Sequence, residues 1–307
     1  MTWTCEHIPD QHGRTFLITG ANSGIGKEAT RELARRHARV ILACRSAAKA
    51  EEAMREIRAE IPSADLHFEQ LDLASLASVR AAAERIRGQH AIDVLVNNAG
   101  IMAIPRQLTA DGFEFQLGTN HLGHFALTGL LLPDMLGRHG ARVVTVSSIA
   151  HRMGAIRFDD LMGARSYGKW SAYSQSKLAN LLFHHELQRR LTRRQARVAS
   201  VACHPGYAAT NLQQVGPQQE GSAIGAWGAE MANRLLAQPA AAGAWPTLFA
   251  ATAPDVAAGD FIGPMGFRNL WGPPGKNTPR STATDPAVME RLWARSVELT
   301  GVDVGGL

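Results

Sequence analysis

Short runs of apolar, β-branched residues alternate with amphipathic stretches along the first two hundred residues of this chain. Residues 14–19 (RTFLIT) read as a strand, and Ile25, Ala29 and Leu33 at i, i+4 spacing then predict a helix. Residues 39–43 (RVILA) predict a second strand, followed by an Ala/Glu/Arg-rich helix that ends near Glu60 because Pro62 stops it. Residues 65–69, 93–96, 141–146 and 196–202 repeat the strand pattern, each separated from the next by a helical one. Strands that are short, nearly continuous and rich in Val, Ile and Leu suit burial on both faces of a parallel sheet. Repeated βα units with right-handed crossovers predict an α/β fold: a single Rossmann-type, doubly wound parallel sheet with helices on both faces. Residues 259–263 (GDFIG) add a last strand, for about seven in all.

No stretch rich in Pro, Gly or Ser divides the chain before about residue 264. The segment 263–286 holds five Pro and four Gly, which predicts an irregular excursion before a short helix around 288–299. One domain over 1–307 is expected, with an N-terminal extension over 1–13. A cofactor-binding and catalytic core then covers 14–200, and a substrate-side region covers 204–307.

Composition narrows the function classes. Hydrophobic residues at 45% and charged residues at 19% supply an ordinary globular core. No apolar run approaches the length of a membrane span, so no integral membrane segment is expected. The first thirteen residues carry acidic side chains and no apolar run, unlike a signal peptide. Cys5, Cys44 and Cys203 lie far apart and in no CxxC pattern. That spacing argues against a disulfide framework or zinc site and for a reducing, cytoplasmic setting. His121 and His124 are three apart with no third partner, and His151 and His204 stand alone, so no metal is expected. The net charge of +5 is arginine-rich and densest at Arg189, Arg190, Arg193, Arg194 and Arg197, at the end of a predicted helix. Cations there complement the helix dipole, and no interleaved aromatics suggest a nucleic-acid partner.

The candidate chemistry begins with TGANSGIG at 19–26, between the first strand and the first helix. Gly20 permits a tight turn, Gly24 lets the backbone approach a pyrophosphate, and Gly26 allows close helix–sheet packing. The helix N-terminus then offers unpaired N–H groups to the anion. At the end of the second strand, where NAD-binding chains carry an acidic residue, this chain reads Ala43-Cys44-Arg45, with Lys49 one turn later. An arginine there suits the 2′-phosphate of NADP, and NAD is the less suited cofactor.

Tyr173 and Lys177 stand one helical turn apart on a predicted helix continued by Leu178, Leu181 and Leu182. An ammonium beside a phenol is expected to lower the phenol's pKa toward working pH and fit it for proton exchange with an alcohol or carbonyl oxygen. NNAG at 97–100 follows a strand, and Ser147 and Ser148 end the next one. These are positions where a parallel sheet opens onto a cofactor crossing its edge.

With these residues in view, the chain resembles the short-chain dehydrogenase/reductase family nearly end to end. The resemblance implies that Tyr173 is the general acid/base, with Lys177 holding the nicotinamide ribose. It further implies that Ser148 polarises the substrate oxygen and that Asn120 supports a water-linked proton relay. Implied cofactor contacts are Gly20, Asn22, Ser23, Gly24, Ile25, Gly26, Arg45, Asp72, Leu73, Asn98, Ala99 and Gly100. Tyr173, Lys177, Pro205, Gly206 and Thr210 complete that set. Within the family the chain is most similar to the retinol dehydrogenase branch, through ACRS at 43–46, NHLGHF at 120–125, VSSIAH at 146–151, SKLAN at 176–180 and HPG at 204–206. The resemblance would also imply the N-terminal membrane anchor of the animal retinol enzymes, and residues 1–13 are expected not to supply it.

The expected function is an NADP(H)-dependent oxidoreductase interconverting a lipophilic alcohol with its aldehyde or ketone. Alternatives are a protochlorophyllide reductase-like enzyme and a non-catalytic NADP(H)-binding regulator. A small lipophilic substrate is expected because Leu212, Ile224, Trp227, Met231, Leu235 and Leu236 follow Thr210 with only Glu220, Glu230 and Arg234 charged among them. A homodimer or homotetramer is expected from the resemblance. Leu127, Leu130, Leu131, Leu181, Leu182 and Phe183 exceed what one core face requires.

Overall fold

Seven parallel strands and one antiparallel strand form a single sheet in the order β3-β2-β1-β4-β5-β6-β7-β8. The structure, a computed structural model, describes residues 2–207, 239–304 and 306. The strands are β1 (Thr15–Thr19), β2 (Arg39–Cys44), β3 (Asp65–Gln70), β4 (Val94–Asn97), β5 (Arg142–Val146), β6 (Ala199–Cys203), β7 (Phe261–Pro264) and β8 (Pro274–Lys276). The helices are α1 (Gly24–Arg35), α2 (Ala47–Glu60), α3 (Leu76–Gln89), α4 (Phe115–Leu117), α5 (Gly123–Met135), α6 (Lys169–Arg193), α7 (Ala240–Thr252) and α8 (Pro286–Thr300).

Burial on both faces explains the apolar runs. In β1, Phe16 and Ile18 join the core beneath α1, α2 and α7, while Leu17 joins the opposite core beneath α3, α5 and α6. The chain builds β1, β2 and β3 outward, then returns to place β4 on the other side of β1. That reversal opens a crevice beyond the C-terminal ends of β1 and β4, the position where doubly wound sheets bind ligands.

The structure adds one strand to the expected seven. Within the Pro/Gly-rich segment, Pro274–Lys276 pairs antiparallel with β7 as a three-residue edge strand. Proline is tolerated there because an edge strand has a side that needs no donor. The last helix is longer than its apolar spacing implied. Asp285 caps it through the Ala287 and Val288 amides, Pro286 opens it, and Gly301 ends it in the left-handed region.

The apolar positions on α5 and α6 meet a different fate from the one expected. Leu127, Leu131, Leu181, Leu182 and Phe183 are buried within the chain, and α8 lies against this helix pair. Trp293 of α8 stacks on Phe183 at 6.0 Å and meets Phe125 edge-on at 5.2 Å. Two arginines of the patch join the same contact. Arg189 and Arg190 both clamp the fully buried Glu186 and reach Glu290 of α8, and Arg190 lies 4.5 Å over the Trp293 ring. Five of the six apolar positions behind the homodimer or homotetramer expectation are therefore used within the chain, and Leu130 is half-buried. No helix among the described residues is long and apolar enough to cross a membrane.

Candidate active site

The glycine turn leaves β1 with Gly20 and Gly24 both at positive φ, 67° and 53°. A Cβ on Gly26 would sit 2.5 Å from the Gly20 carbonyl oxygen and 2.7 Å from Asn98 Nδ2, so only glycine fits. Ser23 takes an extended cap conformation without a side-chain cap bond, so its hydroxyl leaves the first amides of α1 uncapped. Arg45 is exposed just beyond β2 and pairs with no carboxylate among the described residues. Its backbone carbonyl is held at 2.7 Å by Gln70 Nε2. Asp72 uses its carboxylate on the Ala74 amide at 3.0 Å, and the Leu73 carbonyl oxygen would lie 2.4 Å from a Cβ on Gly123.

The NNAG segment turns at the end of β4 and is held from β1. Thr19 Oγ1 accepts from the amides of Asn98 and Ala99, both at 2.9 Å, and Asn98 Nδ2 donates to the Thr19 carbonyl at 2.8 Å. Asn97 points away and donates to Thr128 Oγ1 at 2.9 Å. Thr19 stood inside the glycine motif, yet no role was expected for it.

Asn120 lies in a π turn, Gly118–Leu122, between α4 and α5. Such local expansions of a helix are frequent at functional positions because they re-aim side chains. Here the Asn120 side chain faces the NNAG loop: Nδ2 donates to the Ile101 carbonyl and to Ser176 Oγ, both at 2.9 Å, and Oδ1 accepts from the Ile101 amide at 2.8 Å. Ser176 is a second residue with no expected role.

Tyr173 and Lys177 project from α6 and are 6% and 3% exposed. Ser148 neighbours the Tyr173 hydroxyl and favours its ionised form, and Lys177 Nζ lies 5.9 Å from the phenol ring centre and donates to the Val146 carbonyl at 3.2 Å. Ser147 instead turns inward and donates to the Lys177 carbonyl at 2.7 Å. Gly100 completes the cluster: a Cβ there would meet Asn120 Oδ1 at 3.2 Å and Lys177 Nζ at 3.3 Å. Asn120, Ser148, Tyr173, Lys177 and Gly100 thus converge at one place.

Electrostatics depart from the simplest expectation. Burial pushes the Tyr173 hydroxyl up to about 12, with neighbouring Ser148 acting in the opposite direction. Burial also lowers Lys177 to about 8. At this separation desolvation outweighs the pull of the ammonium on the phenol. The 24 residues between Ser148 and Tyr173 are tied down by Tyr167, whose hydroxyl donates to the Ile104 carbonyl at 3.0 Å and accepts from Gln116 Nε2 at 2.9 Å.

Pro205 and Gly206 follow β6. Gly206 has φ 68°, and a Cβ there would meet the Leu270 carbonyl at 2.3 Å. Thr210 and the apolar positions Leu212, Ile224, Trp227, Met231, Leu235 and Leu236 lie outside the described residues. Among the described residues no three His, Cys, Asp or Glu side chains are grouped to hold a metal.

A family model described as short chain dehydrogenase matches residues 14–221. The chain belongs to the short-chain dehydrogenase/reductase family. Within it, the chain is 41% identical to retinol dehydrogenase 13 of Homo sapiens over 300 residues, 95% of this chain and 86% of that protein. It is 39% identical to polyprenol dehydrogenase of Mus musculus, with 97% and 87% of the two chains covered. Among solved structures, an uncharacterised protein from Mycobacterium Paratuberculosis superposes with a TM-score of 0.82 at 44% identity, covering 99% of each chain. The chain is therefore a retinol dehydrogenase-like oxidoreductase of a family that binds nicotinamide cofactors.

Proposed function

We propose that this protein is an NADP(H)-dependent oxidoreductase that interconverts a lipophilic alcohol with its aldehyde or ketone. The observation that carries the reading is the convergence of Tyr173, Ser148, Lys177 and Asn120 around Gly100 at the open end of the sheet. The crowded Gly26 position, the uncapped entry to α1 and the bare Gly100 surface fit a dinucleotide laid along the crevice. When bound, the nicotinamide supplies or accepts the hydride.

In the reducing direction Tyr173 donates its hydroxyl proton to the oxygen of the forming alcohol, and in oxidation it takes that proton back. Ser148 neighbours the same hydroxyl, so a substrate oxygen placed there would be held by both side chains. Lys177 remains mostly protonated at neutral pH even when lowered to about 8, which keeps a positive charge beneath the phenol. That charge, with the positive ring of the oxidised cofactor, opposes the burial that disfavours the phenolate. Asn120 fixes Ile101 and with it the loop carrying Gly100.

Arg45 supports NADP(H) over NAD(H). It stands free of any carboxylate among the described residues, so its guanidinium can meet a 2′-phosphate bidentately. Screening at an exposed rim limits the preference to about ten- to a hundredfold. The names of the retinol and polyprenol relatives, together with the apolar positions after Thr210, support a lipophilic substrate. A homodimer or homotetramer is part of this reading and rests on the family resemblance alone.

The test is kcat/KM with NADPH and NADH across aldehydes of increasing chain length, for the wild type and Arg45→Asp. The wild type should favour NADPH and long chains, and Arg45→Asp should erase or reverse the cofactor ratio. Equal use of both cofactors by the wild type would remove the NADP assignment. A preference for short hydroxy acids would remove the substrate class.

A further inference from the structure

Thr19, His124 and Asn120 form a continuous buried chain that links the glycine turn to the π turn. His124 lies on the first turn of α5, with Nδ1 3.0 Å from the Asn120 carbonyl oxygen and Nε2 2.8 Å from Thr19 Oγ1. All three residues are buried. Burial holds the imidazole at about 4, with the Asn120 bond opposing and the Lys177 charge adding to the depression, so the ring is neutral at working pH.

A neutral imidazole carries one proton, and the polarity of this chain follows from its ends. A carbonyl can only accept, so Nδ1 must be the protonated nitrogen and Nε2 the acceptor. The Thr19 hydroxyl therefore donates to Nε2; its other acceptor, the Val96 carbonyl, is 3.4 Å away. The Thr19 oxygen is then left to accept from the Asn98 and Ala99 amides. Asn120 closes the circle from the other side by gripping both backbone groups of Ile101. The loop 98–101 is thus held at one end by Thr19 and at the other by Asn120, and one ring connects the two anchors.

We propose that His124 is a positioning residue that couples nucleotide seating to the Asn120 backbone by donating from Nδ1 to the Asn120 carbonyl and accepting from Thr19 at Nε2. This rests on the dehydrogenase reading above. His124 touches neither substrate nor cofactor; it acts through Thr19 on the nucleotide loop and through Asn120 on the proton-transfer cluster.

Two substitutions separate the halves of this role. Asn places its amide where Nδ1 lies, and Gln reaches where Nε2 lies. In His124→Asn the Thr19 contact is lost, so NADPH binding, read by fluorescence titration, should weaken by about tenfold, the scale of one lost neutral hydrogen bond. In His124→Gln the Asn120 contact is lost, so kcat should fall about tenfold further than in His124→Asn while the NADPH dissociation constant stays near the wild-type value. A merely structural histidine would lower Tm and shift both parameters together in both variants, and that outcome overturns the proposal. Nitrogen-15 NMR of the wild-type imidazole provides an arm independent of turnover and of variant folding. A protonated Nδ1 with an unprotonated Nε2 at pH 7 supports the proposal, and the opposite tautomer or a charged ring overturns it. If the wild type turns over no carbonyl substrate, the dehydrogenase reading fails, while the titration and the tautomer still decide the His124 linkage.

Discussion

The two halves of the sheet's open edge are built differently. At the ends of β1 and β4, polar groups are paired in a closed set: Thr19 with Asn98, Ala99 and His124, and Asn120 with Ile101 and Ser176. At the ends of β5 and β7, apolar side chains stand open instead, with Met153 73%, Met265 53% and Phe267 65% exposed. Backbone bonds tie this face, such as the Met265 amide donating to the Pro273 carbonyl and the Gly266 amide to that of Trp271, beside side-chain bonds such as Arg152 to Asn269 Oδ1. A dinucleotide presents one fixed pattern of phosphates and hydroxyls, so the first half is committed to one geometry. The lipophilic substrate proposed above would present surface without directional bonds, which suits the exposed apolar side chains of the second half.

The comparison breaks most sharply at Gly26. In Gly26→Val the new atoms collide with the Gly20 carbonyl and Asn98, so NADPH affinity should fall by about a hundredfold or more. Gly137, where an added Cβ would meet nothing within 4 Å, is the control: Gly137→Ala should bind NADPH like the wild type. Calorimetric titration of both variants checks this, and near-normal binding by Gly26→Val would mean that the turn yields more readily than its contacts suggest.

A second prediction concerns the C-terminal clamp behind the site. Trp293→Ala removes the ring that packs on Phe125 and Phe183, and should destabilise the chain by about 3–5 kcal/mol. Chemical denaturation measures the loss. A cost below about 1 kcal/mol would show that α8 adds little to the α5–α6 pair.

The smallest effect is one of pH. Lys177 has a folded value of about 8 against an ordinary 10.5, so between these values the unfolded chain binds the extra proton. Its contribution to stability is present above 10.5 and is lost as pH falls through 8. Tyr173 acts oppositely: raised to about 12, it contributes below 10 and loses that contribution as pH rises through 12. Tm measured from pH 7.5 to 10 should therefore rise more steeply for the wild type than for Lys177→Met. Parallel profiles would mean that the buried amine titrates normally.

The same division explains what could be read from the chain. Most of strands β1 to β7 were legible because burial on both faces forces continuous apolar runs; the edge strand β3 keeps only Leu66 and Phe68 as apolar positions. The glycine turn was legible because steric exclusion leaves no other residue at Gly26. Strand β8 was not, since a three-residue edge strand containing Pro274 leaves no periodic signal. Tyr173, Ser148, Lys177 and Asn120 were legible as a motif, and the structure brings them together. Thr19, Ser176 and His124 were not, because a polar residue matters there through a partner 56 to 105 positions away. The apolar surplus on α5 and α6 was visible, but only the position of α8 decides what covers it.

The central claim is that Tyr173 exchanges the proton at a site that holds NADPH by other means. Its direct measurement is Tyr173→Phe, followed by NADPH fluorescence for binding and by absorbance loss on mixing with a long-chain aldehyde for chemistry. The substitution removes one hydroxyl and little volume, so binding should match the wild type while turnover falls by about 10²–10⁴-fold. Wild-type-like turnover in the Phe variant would contradict the account and take the tyrosine out of the reaction.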